Sequence, residues 1–305
     1  MAALVLFGIA IPPLGALLRP YVTEAIFLLL VISFMLVDLA ALRAHLRRPG
    51  LIVAATAWTT IGVPLIFGVA AHLAGLDARS PGLFLALMLQ AIASPMMASP
   101  AIAALMGLDA TLVLVTLVTS TALVPFTASL FAALFLAATL SISPLALGAK
   151  LLAILAGSLL VATIIRWLFG TEAIQRHRRP IDGLNIIILL VFVAAVMGNV
   201  IADFLADPLP SIAIALLAFA IFFALLIVTT LRRIGYEQAL ALGLMVSQRN
   251  LGLMLAATAG ALPGMTWLYF ALTQFPYYLA PQMLTPIARR LTSQATGVAA
   301  AGSAP

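Results

Sequence analysis

Cysteine is absent from the chain, so neither a disulfide nor a thiol-ligated metal can be built from it. Charge is almost as scarce: 8% of residues are charged and 65% are hydrophobic, far outside the soluble average. The only lysine, Lys150, sits near the outer end of an apolar run, which excludes a retinal-type photoreceptor with its lysine in mid-span. A glycine-rich phosphate loop is also missing, so the energy source for any transport must be a gradient. His45, His72 and His177 fall at span ends or in loops, and no span centre holds an acid. An intramembrane enzyme would therefore lack its catalytic set. No span carries a continuous polar stripe, which speaks against an ion channel. A channel or a structural membrane protein stays the alternative class.

What is there is a series of apolar runs of spanning length, the mark of an all-α polytopic membrane protein. Ten spans are expected, at about 2–18, 22–42, 51–75, 82–107, 110–138, 147–169, 184–204, 211–231, 236–260 and 265–287. The first has no basic n-region and is broken by Pro12-Pro13, so it reads as a membrane helix rather than a cleaved signal. The tail, 291–305, turns to Ser, Ala and Gly and is expected to be disordered and cytoplasmic. The net charge of +6 does not imply nucleic acid, because its distribution is a topology signal. With the N-terminus inside, eleven basic residues, among them Arg43, Arg47, Arg48, Arg176, Arg178, Arg179, Arg232, Arg233, Arg289 and Arg290, fall on the inner side. Only Arg19, Arg79 and Lys150 fall outside, so both termini are expected in the cytoplasm of a multi-pass cell-membrane protein.

Two spans are interrupted. In the ninth, Ser247-Gln248-Arg249-Asn250 breaks an apolar helix pattern near mid-span. A guanidinium there is costly because it cannot shed its proton, and polar broken helices survive in a bilayer only against protein or a water-filled cavity. In the fourth, Ser94-Pro95-Met96-Met97-Ala98-Ser99-Pro100 does the same. Ser99-Pro100 reads as an N-cap followed by proline at the first helical position, and Asn250 as the cap restarting the other helix. Two half-helix N-termini beside Arg249 would suit a carboxylate or another anion. The freed carbonyls, with Ser94, Ser99, Ser247, Gln248 and Asn250, could instead ligate a hard cation. In the fifth span Thr116, Thr119 and Ser120 share a face. They are candidates for ion binding, although such hydroxyls commonly serve close helix packing.

The starts of spans two to five and seven to ten are offset by about 150–160 residues, which suggests an internal repeat. Five spans per half makes the repeats inverted, 1–140 and 141–290, with the two broken helices at equivalent positions.

This order of spans, the two interrupted helices and the stretch Ser247-Gln248-Arg249-Asn250-Leu251-Gly252-Leu253 resemble the bile acid:sodium symporter family, of which the chain would be a divergent bacterial-type member. The resemblance covers about 2–287 and implies crossed broken helices that bind two sodium ions beside an organic anion. Ser99 and Asn250 carry over. The family's asparagine in the fourth helix does not, its sodium-binding glutamate is Met245 here, and its glutamine before Asn250 is Arg249. The reading is a secondary active transporter of a small organic anion, in which Arg249 pairs with the substrate and Ser99, Ser94, Gln248 and Asn250 add hydrogen bonds. The alternative is a sodium-coupled symporter of bile-acid-like or other carboxylates. Sodium is the one cofactor left open. The expected partners are the anion, the lipid bilayer and a second copy of the chain, with no nucleic acid.

Overall fold

The computed structural model describes residues 12–36, 49–230, 235–258 and 262–301, and contains helices but no named strand among them. Arg43, His45, Arg47, Arg48, Arg232 and Arg233, which carry much of the orientation argument, lie outside the described residues.

Helix α1 (Pro12–Leu18) runs through a 3-10 turn (Arg19–Tyr21) straight into α2 (Val22–Leu36). The spans expected at 2–18 and 22–42 are thus joined in one apolar helical run, Pro13–Leu36. Arg19-Pro20 suggests a loop in the sequence. Proline's fixed φ is compatible with a helical turn, however, and the tighter 3-10 geometry absorbs the missing donor. Residues 2–11, the larger part of the first expected span, lie outside the described residues.

Helix α3 (Pro49–Ala57) passes through a π-turn (Trp58–Gly62) into α4 (Val63–Leu73). After the short α5 (Leu76–Arg79) come α6 (Pro81–Ile92) and α7 (Ser99–Leu105), the two halves of the first interrupted helix. Helix α8 (Ala110–Phe135) starts where Asp109 accepts a hydrogen bond from the Leu112 N–H. Helix α9 (Pro144–Phe169) starts on Ser143, which caps the Ala146 N–H, and stops at Gly170, whose φ of 77° favours glycine. Then follow α10 (Thr171–Arg176), α11 (Arg178–Met197), α12 (Val200–Ala206) and α13 (Pro208–Thr230). Helices α14 (Tyr236–Ser247) and α15 (Leu251–Ala257) are the second interrupted pair, and α16 (Gly264–Ala301) closes the chain.

The last helix continues where a disordered tail is expected. Four alanines between 295 and 301 supply the strongest intrinsic helix propensity.

Among the described residues, six helical runs are long and apolar enough to cross a membrane. Large apolar side chains such as Phe126, Leu134, Trp167 and Leu216 point outward and exposed. In water such a surface would be untenable; against lipid it is the ordinary one. The architecture is that of a multi-pass helical membrane protein. Polar residues gather instead in the interior, on α6, α14, the π-turn and α16.

Small residues allow the closest approaches. A Cβ added at Gly198 on the α11–α12 junction would lie 2.8 Å from the Gly15 Cα of α1. On α15, a Cβ at Gly252 would lie 2.2 Å from the Ile26 Cδ1 of α2. Helices in a bilayer gain van der Waals contact through such pairs, since lipid supplies no hydrophobic drive between them.

Candidate functional site

Both interrupted helices break at the same place in space. Pro95 and Arg249 face each other as an antiparallel bridge. The Met96 N–H donates to the Gln248 carbonyl at 2.9 Å, and the Asn250 N–H donates to the Ser94 carbonyl at 2.7 Å. Backbone groups freed by each break thus satisfy the other, which meets the demand that no amide stay unpaired away from water.

Arg249 is 1% exposed. Its Nη1 donates to the Ala93 carbonyl at the end of α6 (3.1 Å) and to the Thr59 carbonyl in the π-turn (3.2 Å). Among the described residues, its Nε and Nη2 have no hydrogen-bond partner and no acidic side chain pairs with it. One corner of the guanidinium is therefore anchored, while the Nε/Nη2 edge stays unengaged. That edge is a planar two-donor fork that matches the two oxygens of a carboxylate.

The neighbouring residues form a fixed network. Gln248 donates from Nε2 to the Tyr277 carbonyl (3.1 Å) and accepts at Oε1 from the Ser99 hydroxyl (3.3 Å). Gln90 on α6 donates to the Tyr277 hydroxyl (3.1 Å) and accepts from the Tyr269 hydroxyl. Asn250 caps α15, accepting at Oδ1 from the Leu253 N–H at 3.1 Å, as its sequence position suggests. Ser99 does not cap α7. The N-cap is Ala98, without a side-chain hydrogen bond, and Ser99 is the first helical residue. Its hydroxyl is drawn across the crossing to Gln248 instead. Ser247 bonds back to the Leu244 carbonyl at 2.9 Å, and the Ser94 hydroxyl is buried without a partner.

A cavity of about 550 Å³ lies against this crossing. Ile26, Leu30 and Phe192, on α2 and α11, form one wall; Met96, Met97, Arg249 and Asn250 form the other. It extends to Arg178 and Asp182, which are exposed at the start of α11. At the opposite ends of α2 and α11, Arg19 stacks over the Trp267 ring at 4.1 Å, and the indole N–H donates to the Val196 carbonyl.

Thr116, Thr119 and Ser120 of α8 do not line the cavity, which α8 reaches instead with Ala110, Thr111 and Leu114. Thr119 pairs with Thr56 at 2.8 Å and bonds back to its own helix, so it serves packing. Thr116 and Ser120 are buried with hydroxyls unpartnered. Gln90, Thr59 and Tyr277 are not singled out by sequence reasoning. Gln90 could have been, as a lone amide within an apolar helix; Thr59 takes part through its backbone and leaves no side-chain signal.

The chain matches no protein-family model, and no curated protein is similar to it.

Proposed function

We propose that this protein is a secondary active transporter of a small organic anion, working by alternating access around the crossing of the two interrupted helices. The observation that carries the reading is the guanidinium of Arg249: buried, anchored at Nη1 and without a hydrogen-bond partner at Nε and Nη2, in a residue that lines the cavity. An uncompensated charge at membrane depth is costly and marks a substrate pathway by default. A carboxylate on the fork would supply both the missing counter-charge and two charge-assisted hydrogen bonds.

The arrangement of helices supports the inverted-repeat reading and the resemblance to the bile acid:sodium symporter family. Helix α9 packs on α2 as α1 packs on α11, and α8 packs on α3 as α16 packs on α13. Those pairs exchange under the offset seen in the sequence, as two inverted halves of five spans each would require. The cavity runs between α2 and α11 on one side and the crossing on the other, a place where two groups of helices could rock apart. Its mouth beside Arg178 would be cytoplasmic by the distribution of basic residues.

Sodium coupling is disfavoured at this site. Met245 replaces the acid the resemblance would require and is fully buried. A sodium ion about 5 Å from the guanidinium would meet a repulsion of about 3 kcal/mol at an effective dielectric near 20. Thermal unfolding in detergent across a panel of carboxylates, in sodium and in potassium, tests the reading. Stabilisation by carboxylates in both salts is expected. A stabilisation that needs sodium, or one retained in Arg249→Gln, overturns it.

A further inference from the structure

Both side chains that hold the crossing in place bind a carbonyl left without a helical donor by a proline. In α16, Pro281 has no N–H to give the Tyr277 carbonyl four residues earlier, and that carbonyl accepts from Gln248 Nε2 at 3.1 Å. The α3–α4 run does the same by a different register. In the π-turn the Val63 N–H goes to the Trp58 carbonyl, five residues back. The next donor in that register would be residue 64, which is Pro64. The Thr59 carbonyl is therefore the one left over, and Arg249 Nη1 takes it at 3.2 Å. A third carbonyl, Ala93, is freed by the break in α6 and completes the seat of Nη1.

We infer that Pro64 and Pro281 are positioning residues of the anion site: each withholds one backbone N–H so that one carbonyl can fix Arg249 or Gln248. The inference rests on the reading of Arg249 as the anion-binding group. With Nη1 fixed at two carbonyls, the guanidinium cannot rotate, and its free edge keeps one direction. Gln248, held at Tyr277, keeps its Oε1 on Ser99 and so locks the two interrupted helices together. An alanine at 64 or 281 restores an N–H that competes for the carbonyl. It should loosen the site while improving the helix that carries it.

The experiment uses octanoate, a carboxylate with an apolar tail suited to the Leu30 and Phe192 wall. Wild type, Pro64→Ala, Pro281→Ala and Arg249→Gln are compared in detergent by octanoate calorimetry and by thermal melting without ligand. Modification of Arg249 by phenylglyoxal, followed by peptide mass spectrometry, gives a readout that needs no ligand. Each proline variant should melt at the wild-type temperature or above and bind octanoate about tenfold more weakly, the worth of one hydrogen bond to a charged or anchored group. In Pro64→Ala the modification of Arg249 should also be faster. A residue that acted only on stability would lower the melting temperature and affinity together. Wild-type affinity in both proline variants, with binding lost in Arg249→Gln, overturns the positioning role and leaves the anion site standing. Unchanged binding in Arg249→Gln overturns the anion site itself. Should wild type not bind octanoate, an unaltered phenylglyoxal rate in Pro64→Ala overturns the role of Pro64.

Discussion

Pro95 and Arg249 stand opposite each other as the only paired residues of a miniature antiparallel bridge among the described residues, with one hydrogen bond on either side of the pair. That bridge solves a problem set by the bilayer. Two helices stop at the same depth, and the amides they release bond to each other rather than to water. The contact also places a residue that must carry charge beside one that cannot donate a hydrogen bond. The guanidinium collects the Ala93 carbonyl from this break and the Thr59 carbonyl from the neighbouring helix.

Arg249→Lys separates charge from geometry. An ammonium can still reach a backbone carbonyl, but it has no planar fork. The variant should fold, and its affinity for a carboxylate should fall by about 1–2 kcal/mol, roughly tenfold, with little loss for a spherical anion such as chloride. Calorimetry with the two anion types measures the ratio, and equal losses would count against bidentate recognition.

How far the sequence exposed this site depends on the kind of group involved. Arg249, Gln248 and Ser99 stand out because polar side chains within an apolar span are expensive enough to need a reason. Asn250 was also legible, since capping is a local rule that the structure obeys. Ser99 followed the same local rule on paper and broke it, because Gln248 across the bridge is a better partner for its hydroxyl. The joining of α1 to α2 was hidden because Arg-Pro reads as a loop, whereas proline is equally at home in a first helical turn. Thr59 and Tyr277 contribute carbonyls, which every residue has. Only Pro64 and Pro281 mark them in the sequence.

Orientation can be tested on the natural cysteine-free background. Single cysteines at Ala78 and Pro208, both exposed, should react with an impermeant maleimide from outside the cell. One at Arg178, beside the cavity mouth, should react only after the membrane is opened. Reaction of all three from the same side would remove the alternating order of spans.

Two glycines should respond differently to a methyl group. At Gly198 the added Cβ meets backbone, the Gly15 Cα, so α1 and α11 must separate; a cost of about 1–3 kcal/mol in stability is expected, as for overpacking elsewhere. At Gly252 it meets the end of a flexible side chain, Ile26 Cδ1, across the face where the crossing meets α2. Gly252→Ala should therefore slow transport more than it lowers the melting temperature, and Ile26→Ala should restore the rate. Failure of that rescue in a proteoliposome uptake assay would mean the contact does not limit movement of the crossing.

Proton coupling through a carboxylate is the next alternative. Glu237 is exposed in the first turn of α14, about three turns before Arg249. Glu237→Gln should leave uptake within about twofold of wild type, a difference of about 0.4 kcal/mol. Uptake abolished with binding intact would transfer the coupling to that residue.

The final test concerns the buried hydroxyls of α8. Thr116 and Ser120 have no hydrogen-bond partner, and a hydroxyl buried in that condition costs about 1–3 kcal/mol. Two explanations make opposite forecasts. If the hydroxyls are reserved for sodium, replacing them removes a ligand set, so the melting temperature in sodium should fall toward that in potassium. If they are spacing residues that allow α8 to approach α3 and the π-turn, their loss relieves an unsatisfied group at little cost in volume. The charge arithmetic at Arg249 and the absence of an acid at Met245 favour the second. Thr116→Val and Ser120→Ala should thus melt at or above the wild-type temperature, with equal carboxylate affinity in sodium and potassium. A wild-type protein stabilised by sodium alone, with that stabilisation lost in either variant, would restore the cation site and the symporter reading with it.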